Sequence, residues 1–115
     1  MVPLKPGQAL SLWHKSMLAQ VLDDAPDLTT RQMAILLTVY LTPPPHTVRG
    51  LASQLNVTKP VITRALDTMG IMGFVNRRRD ERDRRNVLIQ RTVQGSEYLE
   101  RLGDLIVQEA DKVNS

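Results

Sequence analysis

Apolar positions recur with a helical period along most of the chain, and the breaks in that period fall at residues that stop helices. Over residues 8–23, Leu10, Trp13, Met17, Leu18, Val21 and Leu22 lie three or four apart, which predicts a helix with a wide apolar stripe. The stretch before it, with Pro3, Pro6 and Gly7, reads as an extended lead-in over residues 1–7, and Asp24-Ala25-Pro26-Asp27 reads as a break. Thr29 followed by Gln32 has the spacing of a capping box, in which the hydroxyl accepts a free backbone N–H and the amide reaches back. Leu28 and Met33 stand where a hydrophobic staple would clamp the start of that helix. It is expected to run through Ala34, Leu36, Leu37 and Tyr40 and to stop at Pro43-Pro44-Pro45, because proline lacks the N–H donor.

Two shorter apolar stripes follow. Thr47 can cap a helix over 48–55 with Leu51, Ala52 and Leu55 inward, and Asn56-Val57 makes a tight connection. Thr58 can cap the next helix, with Pro60 in the first turn, where proline is tolerated. Ile62, Ala65, Leu66 and Met69 form its buried stripe, and Gly73 is positioned to end it in a left-handed conformation. The period then changes. Residues 74–77 and 86–91 suit two strands, with a charged hairpin between them. Thr92 opens a last helix carrying Tyr98, Leu99, Leu102, Leu105, Ile106, Ala110 and Val113. This order predicts a mainly α fold with a small β-hairpin, a winged helix-turn-helix. The expected layout is one domain over 1–115, with the helix-turn-helix at 47–72, the wing at 74–91 and flanking helices at 8–23 and 92–113.

Charge changes the picture. The net charge is only +3, but residues 47–91 hold ten of the 15 bases and four of the 12 acids, a surplus of six positive charges. One part of the chain is thus built to meet a polyanion. Elsewhere composition mainly excludes. With no cysteine there is no disulfide framework, thiol switch or cysteine-containing zinc site, and His14 and His46 lie too far apart for a metal pair, each reading as a surface or boundary residue. No metal or cofactor is expected. No apolar run reaches the roughly 20 residues of a membrane span and no signal peptide opens the chain, so a cytoplasmic protein is expected. No nucleophile with a partnering base, suggestive carboxylate pair or glycine-rich phosphate loop stands out, so the chain is not expected to be an enzyme.

The candidate chemistry lies on the exposed side of the second short helix and on the hairpin. With Ile62, Leu66 and Met69 inward, Pro60, Thr63, Arg64 and Asp67 face outward, and Thr58 and Lys59 ring the N-terminus. Small and basic residues there allow the helix into a major groove about 12 Å wide. Arg64 could contact a guanine through both arms of its guanidinium, and Thr63 a base edge or thymine methyl. The hairpin, Arg77-Arg78-Arg79-Asp80-Glu81-Arg82-Asp83-Arg84-Arg85, uses arginine and no lysine. Charge runs are usually solvated faces, but a weakly hydrated planar fork suits phosphate and the narrow minor groove, where negative potential is enhanced. Arg77, Arg79, Arg82, Arg84 and Arg85 are the candidate wing contacts. Asp80 and Asp83 could hold neighbouring guanidiniums and favour the turn.

Over residues 28–95 the sequence resembles the MarR family of bacterial transcription regulators. The resemblance is carried by Leu28-Thr29, Leu51-Ala52, Val61-Ile62-Thr63-Arg64, Gly73-Phe74-Val75 and above all Asp80-Glu81-Arg82-Asp83-Arg84-Arg85. It implies that Arg84 and Arg85 reach the minor groove while Thr58, Lys59, Pro60, Thr63 and Arg64 face the major groove. Three features depart from the family pattern. Arg91-Thr92 stands where Leu-Thr is usual, Gly70 where an acidic helix former is common, and one final helix where a longer two-helix arm is usual. The family's effector pocket adjoins that arm, so a small-molecule effector is left open. The lack of cysteine excludes the peroxide-sensing branch.

The flanking helices carry wider apolar faces than a small core needs. Leu10, Trp13, Met17, Val21, Leu102, Leu105, Ile106 and Val113 are the candidates for an interface between two subunits. A chain of 115 residues buries only about two-thirds of its unfolded surface, so pairing would help stabilise it. The leading expectation is a homodimeric, sequence-specific regulator, a repressor, on pseudo-palindromic duplex DNA. The alternative is a winged-helix module whose basic hairpin binds a protein or RNA.

Overall fold

The computed structural model describes residues 3–113, which form two compact units, one of residues 28–97 and the other made from the two ends of the chain. Met1 and Val2 of the expected lead-in lie outside the described residues. The element order is α1 (Pro6–Leu22), α2 (Thr30–Leu41), β1 (His46–Thr47), α3 (Val48–Leu55), α4 (Lys59–Ile71), β2 (Val75–Arg79), β3 (Val87–Arg91) and α5 (Val93–Val113). The fold is the expected winged helix-turn-helix, with five helices and a small antiparallel sheet.

Residues 28–97 hold a core drawn from three helices and the two longer strands. Ile35, Leu36 and Val39 of α2, Leu51 and Ala52 of α3, and Ile62, Ala65, Leu66 and Met69 of α4 are buried, together with Phe74, Val75 and Ile89. The α4 stripe is the predicted one. On α2 the buried face is Ile35, Leu36 and Val39, while Leu37 and Tyr40 are half-buried and Ala34 is exposed. Burial of each large aliphatic side chain contributes roughly 1.5–3 kcal/mol, so this layer sets the positions of everything on its surface.

Local chemistry sets the helix ends. Thr29 Oγ1 accepts the Gln32 N–H at 3.1 Å and Gln32 Oε1 accepts the Thr29 N–H at 2.8 Å, closing the capping box on α2. Thr47 Oγ1 accepts the Gly50 N–H at 2.9 Å at the start of α3, and Asn56 ends that helix in the left-handed region at φ 56°. Thr58 stands at the N-cap of α4, but its hydroxyl makes no cap bond. Gly73, at φ 79°, turns the chain out of α4. Its N–H bonds the Gly70 carbonyl and the Phe74 N–H the Met69 carbonyl, a Schellman closure. In α1 the helix starts earlier than expected, at Pro6, where proline's fixed φ suits a first turn and Gln8 Oε1 accepts the Lys5 N–H at 2.8 Å.

The sheet differs from the expected hairpin in having a third strand. β3 is central, pairing with β2 from Val75↔Arg91 to Arg79↔Val87 and with β1 through His46↔Ile89 and Thr47↔Leu88. Pairing of β1 buries His46, which lies deeper than the surface or boundary position expected; its Nε2 lies 3.1 Å from the Thr42 carbonyl. The base of the hairpin packs tightly. A Cβ at Gly95 would collide with the Tyr40 hydroxyl and the Phe74 carbonyl, so only glycine fits where α5 leaves the sheet.

In the other unit, α1 exposes its apolar stripe: Leu10 is 69% exposed, Trp13 61%, Met17 47% and Val21 67%. Its one buried residue is Ser16, whose hydroxyl donates to the Leu12 carbonyl at 2.8 Å. On α5, Leu102 is buried, Leu105 and Val113 are half-buried and Ile106 is exposed. Arg101 pairs with Asp23 at 2.6 Å beside a cavity of about 20 Å³ lined in part by Gln20, Tyr98 and Leu105. That is room for a water, against the roughly 300–1,000 Å³ of small-molecule pockets. Burial raises the Tyr98 pKa, with a further rise from the Asp27 charge. No helix among the described residues is long and apolar enough to cross a membrane.

Candidate nucleic-acid interface

Because the buried stripe of α4 turns Ile62, Ala65, Leu66 and Met69 inward, the opposite side is left to polar residues. Lys59, Pro60, Thr63, Arg64 and Asp67 line one open, exposed face, and Thr58 stands at its N-terminal edge. The N-terminus of α4 also brings the positive end of the helix dipole and backbone N–H groups to that edge. The face carries two cations, a hydroxyl and a single carboxylate.

β2 follows within a few residues, and strand alternation sorts its arginines. Arg77 and Arg79 share a face with buried Val75, while Arg78 lies on the other. Arg77 Nη2 reaches Asp67 Oδ1 on α4 at 2.7 Å, so α4 and β2 are joined by an ion pair. Both partners are well exposed, so the pair is worth no more than about 1 kcal/mol to stability. Its effect is on position and local charge.

The wing loop, residues 80–86, is ordered by its own acids. Asp80 Oδ1 accepts the Arg82 N–H at 3.0 Å, and the loop closes through the Asp80 N–H to the Asn86 carbonyl at 3.0 Å. Asp83 takes Arg85 through both arms, Nε to Oδ1 and Nη2 to Oδ2, each at 2.9 Å. Those bonds lower the Asp83 pKa and raise that of Arg85; Arg49 of α3 lowers Asp83 further by charge alone. Arg79 Nη1 donates to the Arg84 carbonyl at 2.7 Å. Arg82, Arg84 and Arg85 are exposed on the loop. Thus Asp83 holds a guanidinium as expected, whereas Asp80 holds a backbone N–H instead. Of the five wing candidates, three lie on the loop and two, Arg77 and Arg79, are engaged on the strand.

Two residues that matter here were not singled out for these roles by sequence. Asp67 was placed on the exposed face but without its partner, which lies ten residues on in a different element. Arg91 was counted as part of the positive surplus, yet its guanidinium bonds the Val39 carbonyl at 2.9 Å and the Thr42 carbonyl at 3.0 Å. No local pattern signals either contact.

The Asp67 arrangement leads to a test. Asp67→Ala removes a negative charge from the exposed face of α4 and frees Arg77. Affinity for unrelated duplexes is expected to rise about 3- to 10-fold at low salt, with the salt dependence steeper by about one counterion. Weaker binding to all duplexes in a salt titration would contradict this reading of the pair.

The sequence model of the MarR family matches residues 28–87. No curated protein sequence matches the chain significantly. Among solved structures, the transcriptional regulator Tm0710 from Thermotoga maritima is 21% identical, with a TM-score of 0.73 over 91% of this chain and 71% of that one. The MepR–DNA complex of S. aureus is 20% identical, with a TM-score of 0.72 over 87% of this chain and 79% of MepR. A structure of MarR is 26% identical, with a TM-score of 0.68 over 97% of this chain and 81% of that one.

Proposed function

The chain belongs to the MarR family, and on that premise we propose that it is a sequence-specific regulator of transcription, a repressor, which binds duplex DNA as a homodimer. The observation that carries the reading is the shared exposed face of Lys59, Pro60, Thr63, Arg64 and Asp67 on α4, joined through Arg77 to an arginine hairpin. α4 enters the major groove. There Arg64 bonds a guanine edge, Thr63 a neighbouring base, and Lys59 and the helix N-terminus the phosphates. The wing follows the adjacent minor groove, with Arg84 and Arg85 inserted and Arg82 at the loop's edge. Arg77 and Arg79 hold the hairpin in register in the free protein and supply positive charge beside the backbone. MepR, whose fold the chain shares, was solved as a DNA complex.

The exposed stripe of α1 supports the dimer. Leu10, Trp13, Met17 and Val21 present a row of large apolar side chains to solvent, which a second copy would cover together with Leu105, Ile106 and Val113 of α5. Leu102, already buried, would lie beneath that contact. Two-fold symmetry puts two α4 helices one DNA turn apart, about 34 Å, and matches a pseudo-palindromic site. The protein acts in the cytoplasm, at the nucleoid, without a cofactor and without catalysis.

Selection from a pool of random duplexes tests the reading. The expected product is an inverted repeat with half-sites about ten base pairs apart and A·T-rich flanks under the wings. Retention of RNA over duplex DNA, or no enriched repeat, would instead favour an RNA- or protein-binding module.

A further inference from the structure

Arg91 is one of the positions where this chain departs from the family pattern, and it makes contacts that tie three elements together. α2 runs to Leu41 and is followed by Pro43-Pro44-Pro45. In an α-helix each carbonyl bonds the N–H four residues ahead. For Val39, Tyr40 and Leu41 those positions are the three prolines, which have no N–H. The Thr38 carbonyl is taken by the Thr42 N–H at 3.2 Å and the Thr42 hydroxyl at 2.6 Å. The Val39 carbonyl has no such local donor; it accepts Arg91 Nε at 2.9 Å.

The same guanidinium donates through Nη2 to the Thr42 carbonyl at 3.0 Å, where His46 Nε2 also lies, at 3.1 Å. One planar fork thus spans two carbonyls, and its charge faces the negative end of the α2 dipole. The Arg91 guanidinium lies 5.9 Å from the centre of the Tyr40 ring. Tyr40 in turn donates its hydroxyl to the Phe74 carbonyl at 2.7 Å and accepts the Thr92 N–H at 2.8 Å. The end of α2, the turn after α4 and the end of β3 therefore close on adjacent residues.

We propose that Arg91 is the tether of the wing: a C-cap of α2 donated from the end of the central strand, which fixes the angle at which the hairpin leaves the core. Arg91 pairs with Val75 at the base, and Val87 pairs with Arg79 at the mouth of the loop, four residues further along each strand. At about 3.4 Å per residue that is a lever of about 14 Å, so a tilt of roughly 10° at the base displaces the loop by about 2 Å. Functional contacts tolerate displacements of about 0.5 Å. Arg91 is therefore a positioning residue for DNA binding, acting through Arg84 and Arg85. This functional half rests on the DNA-binding reading above; the tether itself does not.

Arg91→Leu and Arg91→Lys, each made in the native chain and in an Arg84→Ala, Arg85→Ala background, test both halves by amide hydrogen exchange and DNA affinity. Arg91→Leu is expected to speed exchange at Thr42 and across the β1–β3 pairing about tenfold or more, leaving the core amides of Ile62 and Leu66 unchanged. DNA affinity should fall about tenfold with the native wing and less than twofold without it. Lysine keeps the charge but cannot fork to both carbonyls, so Arg91→Lys should behave as Arg91→Leu does, and it carries the exchange measurement if the leucine variant fails to fold. Unchanged exchange at Thr42 and β1–β3 overturns the tether. An equal loss of affinity in both backgrounds, rescued by lysine, overturns the positioning role and makes Arg91 a direct phosphate contact. Should Arg84→Ala, Arg85→Ala itself leave affinity unchanged, the wing reading fails, and the exchange result alone decides the tether.

Discussion

Replacing Arg84 and Arg85 together by alanine is expected to weaken binding to a cognate duplex by about 30- to 1,000-fold near physiological salt. Hydrogen bonds to charged groups contribute about 1.5–3 kcal/mol each, and exposure at the wing loop brings the pair to roughly 2–4 kcal/mol. Each 1.4 kcal/mol is about a factor of ten. The two residues are not equivalent. Arg85 is clasped by Asp83 at 2.9 Å, so its removal also leaves an unpaired carboxylate facing the phosphates. Arg85→Ala alone should therefore cost more than Arg84→Ala alone, and an added Asp83→Ala should recover part of the difference. Fluorescence anisotropy with a labelled duplex measures all four variants, and unchanged affinity in the double variant would remove the wing from the interface.

The second large effect concerns specificity. Arg64→Ala is expected to relax base preference at one position in each half-site, at about 1–3 kcal/mol per half-site. The structural basis is its place on the exposed face of α4, beside Thr63 and opposite the buried stripe of Ile62, Leu66 and Met69. Binding to a panel of duplexes substituted one base pair at a time separates the two roles an arginine can take there. A flattened preference at one position marks a base contact. Equal weakening on every duplex would make Arg64 a phosphate contact and shift the base reading to Thr63 and Lys59.

Much of this architecture was legible in the sequence because it depends on local chemistry. The Thr29–Gln32 box, the α4 stripe and the left-handed Gly73 are determined within a few residues of themselves, and each stands where its spacing predicted. The hairpin is visible as a change of period, although the strand runs on past Arg77 through Arg78 and Arg79, so the loop is shorter than the charge run. What escaped is non-local. β1 has two residues, too few for alternation, and exists because His46 and Thr47 meet a strand some forty residues later. The bonds of Arg91 span 49 and 52 residues and answer a deficit created by three prolines. The MarR resemblance named Arg91 as a departure but not as a cap. The α1 stripe is apolar as its spacing predicts, and among the described residues Leu10, Trp13 and Val21 stay mostly exposed, which is why the dimer belongs to the proposal.

Salt dependence tests most directly whether this face and wing grip a duplex. Each phosphate contact contributes about 0.9 to the slope of log affinity against log salt. Three or more contacts per subunit in a dimer predict a slope of about −5 or steeper, and Arg84→Ala, Arg85→Ala should reduce its magnitude by roughly 2 for each bound wing. A slope close to zero, or one that the double variant leaves unaltered, would contradict a winged grip on DNA.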